Sequence, residues 1–124
     1  MRKKTALTGK RGEAAVADYL TAMGHAILAR NWRSGHLELD IVSLDDEGLH
    51  FVEVKTRTSD CIAQPEESVG YAKQRRLEVA AKRFLTSGGG RFYGREVFFD
   101  VASVIDNDNH LEISYFPNAF IPIH

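Results

Sequence analysis

The chain has 124 residues, 44% hydrophobic and 27% charged, with a formal net charge of −1, values that suit one globular domain with its own core. A lone cysteine, Cys61, excludes an internal disulfide and a cysteine-rich zinc site. No apolar run approaches the roughly 20 residues of a membrane-spanning helix, and the basic N-terminus lacks a secretory signal's apolar stretch. A cytoplasmic protein with no membrane partner is the expectation, as one domain over 1–124 with 1–8 as a flexible basic tail.

From Gly9 to Met23 the spacing predicts a helix with Val16, Tyr19, Leu20 and Met23 as its apolar stripe. Thr8 would cap it, and Gly24 would end it in a left-handed conformation. Residues 25–33 read as a first strand and Ser34-Gly35 as a turn. Residues 36–44 form a second strand, with Leu37, Leu39 and Ile41 on one face and Glu38, Asp40 and Val42 on the other. Asp45-Asp46-Glu47-Gly48 is turn chemistry. Residues 49–57 make a third strand, with Phe51, Glu53 and Lys55 sharing a face. A loop over 58–67 holds Pro65 and Cys61. A second helix spans 68–86, with Val69, Lys73, Leu77, Ala80, Ala81 and Phe84 on one side. Gly88 to Gly90 is a turn, 95–105 an apolar strand, and 110–116 a short final one. The order α-β-β-β-α-β-β predicts a mixed sheet with helices packed against it, an α/β fold.

Charge is unevenly placed along this order. Arg2, Lys3, Lys4, Lys10 and Arg11 crowd the N-terminus, and Lys73, Arg75, Arg76, Lys82 and Arg83 crowd the second helix, while acids collect over 38–53. An acidic centre between basic segments suits a metal site beside a phosphate-binding surface. A solvated helix face and a basic tail would produce the same pattern.

The acids fall in strands, where carboxylates are costly unless compensated. Register decides whether they meet. A four-residue connection from Asp45 to Gly48 pairs Leu44 with Leu49, Val42 with Phe51, and Asp40 with Glu53. Side chains so paired sit about 5 Å apart. Lys55 lies roughly 7 Å further along the same face, opposite Glu38. Hard oxygen ligands suit Mg²⁺ or Mn²⁺. Asp40 and Glu53 would supply carboxylates and Val54 a carbonyl oxygen. Lys55 would orient the attacking water or stabilise charge on a phosphate. An exposed hairpin with cross-strand ion pairs fits the same spacing.

Other residues carry weaker signals. Arg57, Lys73, Arg75 and Arg76 could contact phosphates. Trp32 next to a strand fits the core, His36 the surface. Asp100, inside an apolar strand, needs a partner such as an arginine. The five histidines show no metal-ligand spacing.

Asp40 with Glu53-Val54-Lys55 resembles the PD-(D/E)xK motif of restriction-endonuclease-like nucleases. More specifically the chain resembles the YraN-like family of small bacterial proteins, related to archaeal Holliday-junction resolvases. Gly12-Glu13-Ala14-Ala15, Ala29-Arg30-Asn31-Trp32-Arg33, Glu38-Leu39-Asp40-Ile41-Val42, Phe51 to Arg57, Lys73 to Leu77, Phe99-Asp100-Val101 and Asn118-Ala119-Phe120 carry it. Leu37 departs from the glycine common there. The resemblance implies a restriction-endonuclease-like αβββαβ core and a Mg²⁺- or Mn²⁺-dependent endonuclease acting on DNA, with branched or Holliday-junction DNA as one substrate class. It implies Asp40, Glu53 and Lys55 as the metal and catalytic set, Glu13 as an accessory acid and Gln74 near the site. A homodimer would supply paired sites. A nucleic-acid-binding module without cleavage, and an interaction domain using the strand at 110–116, are the alternatives.

Overall fold

The computed structural model describes residues 2–58, 69–107 and 109–121, with side chains described from residue 9 onward. Cys61 and Pro65 lie outside the described residues. The element order is α1 (Arg2–Ala22), β1 (Ala26–Ser34), β2 (Leu37–Leu44), β3 (Leu49–Thr58), α2 (Tyr71–Ser87), β4 (Val97–Asp106) and β5 (Leu111–Phe120). The strands form one sheet in sequential order, with β1 and β5 at its edges. Neighbours are antiparallel except β3 and β4, which run parallel. That parallel pair needs a crossover, and α2 lies within it. The expected mixed α/β arrangement is therefore the observed one.

Each face of the sheet carries an apolar layer. Leu77, Ala80, Ala81 and Phe84 of α2 pack with Val42, Phe51, Phe99 and Val101. Val16, Ala17 and Leu20 of α1 pack with Ile41, Val52, Ala102 and Val104. Trp32 is half-buried on the α2 layer, edge-on to Phe84 with ring centroids 5.4 Å apart.

Four expectations change. The basic segment expected as a tail is helical, since α1 begins at Arg2 and Thr8 lies within it; its lysines, arginines and leucine favour helix and no proline stops it. Met23 is exposed rather than core, because α1 ends at Ala22 and the chain leaves through Gly24 at φ +99°. Leu39 and Ile41 do not share a face: Leu39 joins the α2 layer and Ile41 the α1 layer. The last strand is longer than expected, reaching Phe120.

One close approach sets how α1 lies on the sheet. A Cβ built on Gly12 would stand 2.1 Å from Thr56 Oγ1. Only glycine lets the α1 backbone come this near β3. Arg11, next to it, holds Asp106 of β4, with Nη1 2.9 Å from Oδ2.

Candidate functional site

The β2–β3 hairpin has the predicted register. Leu44 pairs with Leu49, Ser43 with His50, Val42 with Phe51 and Ile41 with Val52. The paired residues stop there, and Asp40 and Glu53 come next. Asp40 places its carboxylate in the ladder, where Oδ2 accepts the Val54 N–H at 2.9 Å. The apolar alternation of β2 breaks at this residue, which is why Leu39 and Ile41 part to opposite layers. In an extended strand a residue's N–H and C=O point the same way. The Val54 carbonyl therefore faces the edge at which Asp40 sits.

The electrostatics of this region are those of an under-compensated acid cluster. Burial, followed by the charge of Glu53, pushes the Asp40 carboxyl up to about 7; Glu13 and Glu38 add to the rise, and the Val54 N–H opposes it. Glu13, half-buried on α1, is also raised, chiefly by burial, with the Asn31 side chain pulling the other way. Asn31 sits in β1 at φ +51°, a conformation that asparagine tolerates better than most residues. Glu53 is 8% exposed, and Lys73 Nζ lies 3.2 Å from its Oε2. Groups from α1, β2 and β3 thus act on one carboxyl, and α2 contributes a cation. Lys55 is half-buried, two residues beyond Glu53 on the same strand.

Several residues have partners that linear spacing does not show. Lys73, half-exposed in the first turn of α2, pairs with Glu53. Arg11 is committed to Asp106, an anchor between α1 and β4. Arg75 pairs with buried Glu78 at 3.0 Å, and Lys82 comes within 3.9 Å of the same carboxylate. Gln74 donates through Nε2 to the Val69 carbonyl at 2.7 Å, which ties the entry of α2. Glu38 pairs with Arg33 on β1 at 3.4 Å rather than facing Lys55. Arg76, Lys10 and His36 are exposed, and Arg57 is half-buried on β3. Asp100 is held by a histidine, a tyrosine and a backbone amide, not by an arginine: His50 Nδ1 lies 2.8 Å from Oδ2, Tyr115 donates to the same oxygen, and the Asn118 N–H meets Oδ1 at 2.8 Å.

No three of Glu13, Glu38, Asp40 and Glu53 bring ligand oxygens within 4.8 Å of one another. His25, Asp45 and His50 do, alone among the described residues. Linear spacing could not have found this group. The only signal for it was a histidine in the third strand, opposite Ser43 in the predicted register.

A family model described as "Uncharacterised protein family UPF0102" matches residues 12–104, a span that takes in Glu13, Asp40, Glu53, Lys55 and Gln74. A UPF0102 protein of Bacteroides thetaiotaomicron is 40% identical over 116 residues, covering 92% of this chain and 92% of that protein. One of Anaeromyxobacter dehalogenans is 41% identical over 112 residues, covering 90% of this chain and 82% of that protein. In a UPF0102 protein of Oleidesulfovibrio alaskensis the match is 45% identical, covering 77% of this chain and 46% of that protein. The chain belongs to the uncharacterised protein family UPF0102, the YraN-like family to which its hairpin motifs pointed.

Proposed function

We infer that this protein is a divalent-cation-dependent endonuclease acting on DNA, with branched or junction DNA as its substrate class. One observation carries the reading. Partial burial, followed by the charge of Glu53, raises the Asp40 carboxyl to about 7, a cost that a cation would relieve. Asp40 and Glu53 would hold Mg²⁺ or Mn²⁺, with the Val54 carbonyl as a third oxygen. A bound divalent cation supplies Lewis-acid polarisation of the scissile phosphate. Lys55, along the strand from Glu53, orients water or meets the charge that develops on the phosphate. Glu13 adds an acid from α1. Gln74 positions the first turn of α2, from which Lys73 reaches Glu53. A homodimer would present two such centres to two strands.

The second reading, binding without cleavage, is favoured by the Lys73–Glu53 pair. An ammonium already answers part of the charge for which a metal would be needed.

Purified protein incubated with branched and linear DNA, with Mn²⁺ or with EDTA, separates the two. Cleavage should require the cation and fall at least about 100-fold in Asp40→Asn and in Lys55→Ala. Cleavage that survives both substitutions overturns the assignment. Retained binding without any cleavage selects the second reading.

A further inference from the structure

A second cluster lies at the other end of the hairpin. Asp45 is five residues along the chain from Asp40, about 16 Å at strand rise. His50 Nε2 lies 2.8 Å from Asp45 Oδ1, and His25 Nε2 lies 3.3 Å from Asp45 Oδ2. The two imidazole centroids are 4.7 Å apart. Three elements meet here: His25 just past α1, Asp45 in the turn, and His50 on β3.

The far side of each ring is already fixed. His50 Nδ1 is held at 2.8 Å by Asp100, which is 1% exposed and itself anchored by the Asn118 N–H and Tyr115. His25 Nδ1 is held at 2.9 Å by the hydroxyl of fully buried Ser43. Both Nε2 atoms are thereby aimed at one carboxylate. A carboxylate or hydroxyl behind each histidine is the usual second layer of a metal centre. Asp45 is fixed as well, since its Oδ1 accepts the Glu47 and Gly48 N–H groups at 3.0 and 3.2 Å, while its Oδ2 faces His25 Nε2.

The geometry points to a transition-metal site, best suited to Zn²⁺, formed by His25 Nε2, His50 Nε2 and the Asp45 carboxylate, with a fourth position open to solvent. A tetrahedral cation with bonds of about 2.1 Å sets its ligands about 3.4 Å apart, and the observed contacts need only small side-chain shifts to reach this. Two imidazoles and one carboxylate suit Zn²⁺ better than Mg²⁺. The site is separate from the acid cluster and does not rest on the nuclease reading. It would clip the end of α1 to the hairpin turn.

Untagged, chelator-treated protein titrated with Co²⁺ tests the proposal. A visible d–d band typical of tetrahedral nitrogen and oxygen ligation should appear, and Zn²⁺ should displace it. The band should persist in Asp40→Asn. His25→Ala should abolish it, and Ser43→Ala should weaken Zn²⁺ binding about 10- to 100-fold. The unmutated protein gives a readout independent of variant folding: Zn²⁺ should shift the imidazole NMR signals of His25 and His50 and leave the Val54 amide in place. No tetrahedral Co²⁺ band, a band that survives His25→Ala, or metal-induced shifts at Val54 in place of the histidines would each overturn it.

Discussion

Asp40 shows what one side chain does when it is both partly buried and surrounded by like charge. Its carboxyl is raised from 3.8 to about 7 by burial and by Glu53. Between those values the folded protein holds a proton that the unfolded chain releases. Stability therefore declines as pH rises from about 4 to about 7, and the full cost is present above that window. Asp40→Asn keeps an acceptor for the Val54 N–H and removes the charge. Urea unfolding should show the variant more stable at pH 8 by about 2 kcal/mol or more, with the advantage vanishing near pH 4. Saturating Mn²⁺ should flatten the same slope in the unmutated protein, because a cation favours the ionised carboxylate. Equal stability of variant and parent at pH 8 would show that the repulsion is not felt. The acids themselves were legible in the sequence, since strand alternation and a four-residue turn are enough to bring Asp40 and Glu53 together. The Lys73 pair was not, because nothing in local spacing says how the first turn of α2 meets β3.

At the scale of elements, the placement of α1 depends on a contact with no room in it. Gly12→Ala must push α1 away from β3 or displace Thr56, whose branched side chain has little freedom. We expect a loss of about 1–3 kcal/mol and a lower Tm, with partial recovery in the Gly12→Ala, Thr56→Ser double variant. Only a methyl is trimmed there, so full recovery would place the clash elsewhere. A shift of α1 also moves Glu13 away from Asp40, so the pH slope described above should shallow in the same variant. The elements were legible from periodicity within a few residues, but faces were read less well. Strict alternation predicted Leu39 beside Ile41, and a carboxylate entering the ladder at Asp40 reversed it. Met23 continued the helical stripe by count, yet the helix had already ended at Ala22. The His25–Asp45–His50 group was illegible because the segment after α1, the hairpin turn and β3 assemble it from residues 25 apart in the chain. In each case tertiary geometry overrode a pattern that holds only while an element stays regular.

For the molecule as a whole, basic residues sort into those that hold the fold and those left for a partner. Arg11 is bound to Asp106, Lys73 to Glu53, and Arg75 to Glu78. Lys10 and Arg76 are exposed on the two helices. With a net charge of −1, affinity for DNA must come from such local groups rather than from the overall field. Each phosphate contact releases counterions and adds about 0.9 to the slope of log affinity against log salt. Arg76→Ala should therefore lower that slope by about 1 and weaken binding alike for linear and branched DNA, leaving Tm unchanged. Arg11→Ala should do the reverse, lowering Tm with little change in slope, because its charge is spent on β4. Fluorescence anisotropy over 50–200 mM salt, with a thermal melt of each variant, reads both quantities. An unchanged slope in Arg76→Ala would place the DNA face away from α2. The Lys10 end of α1 would then be its position, on the side from which Glu13 approaches Asp40.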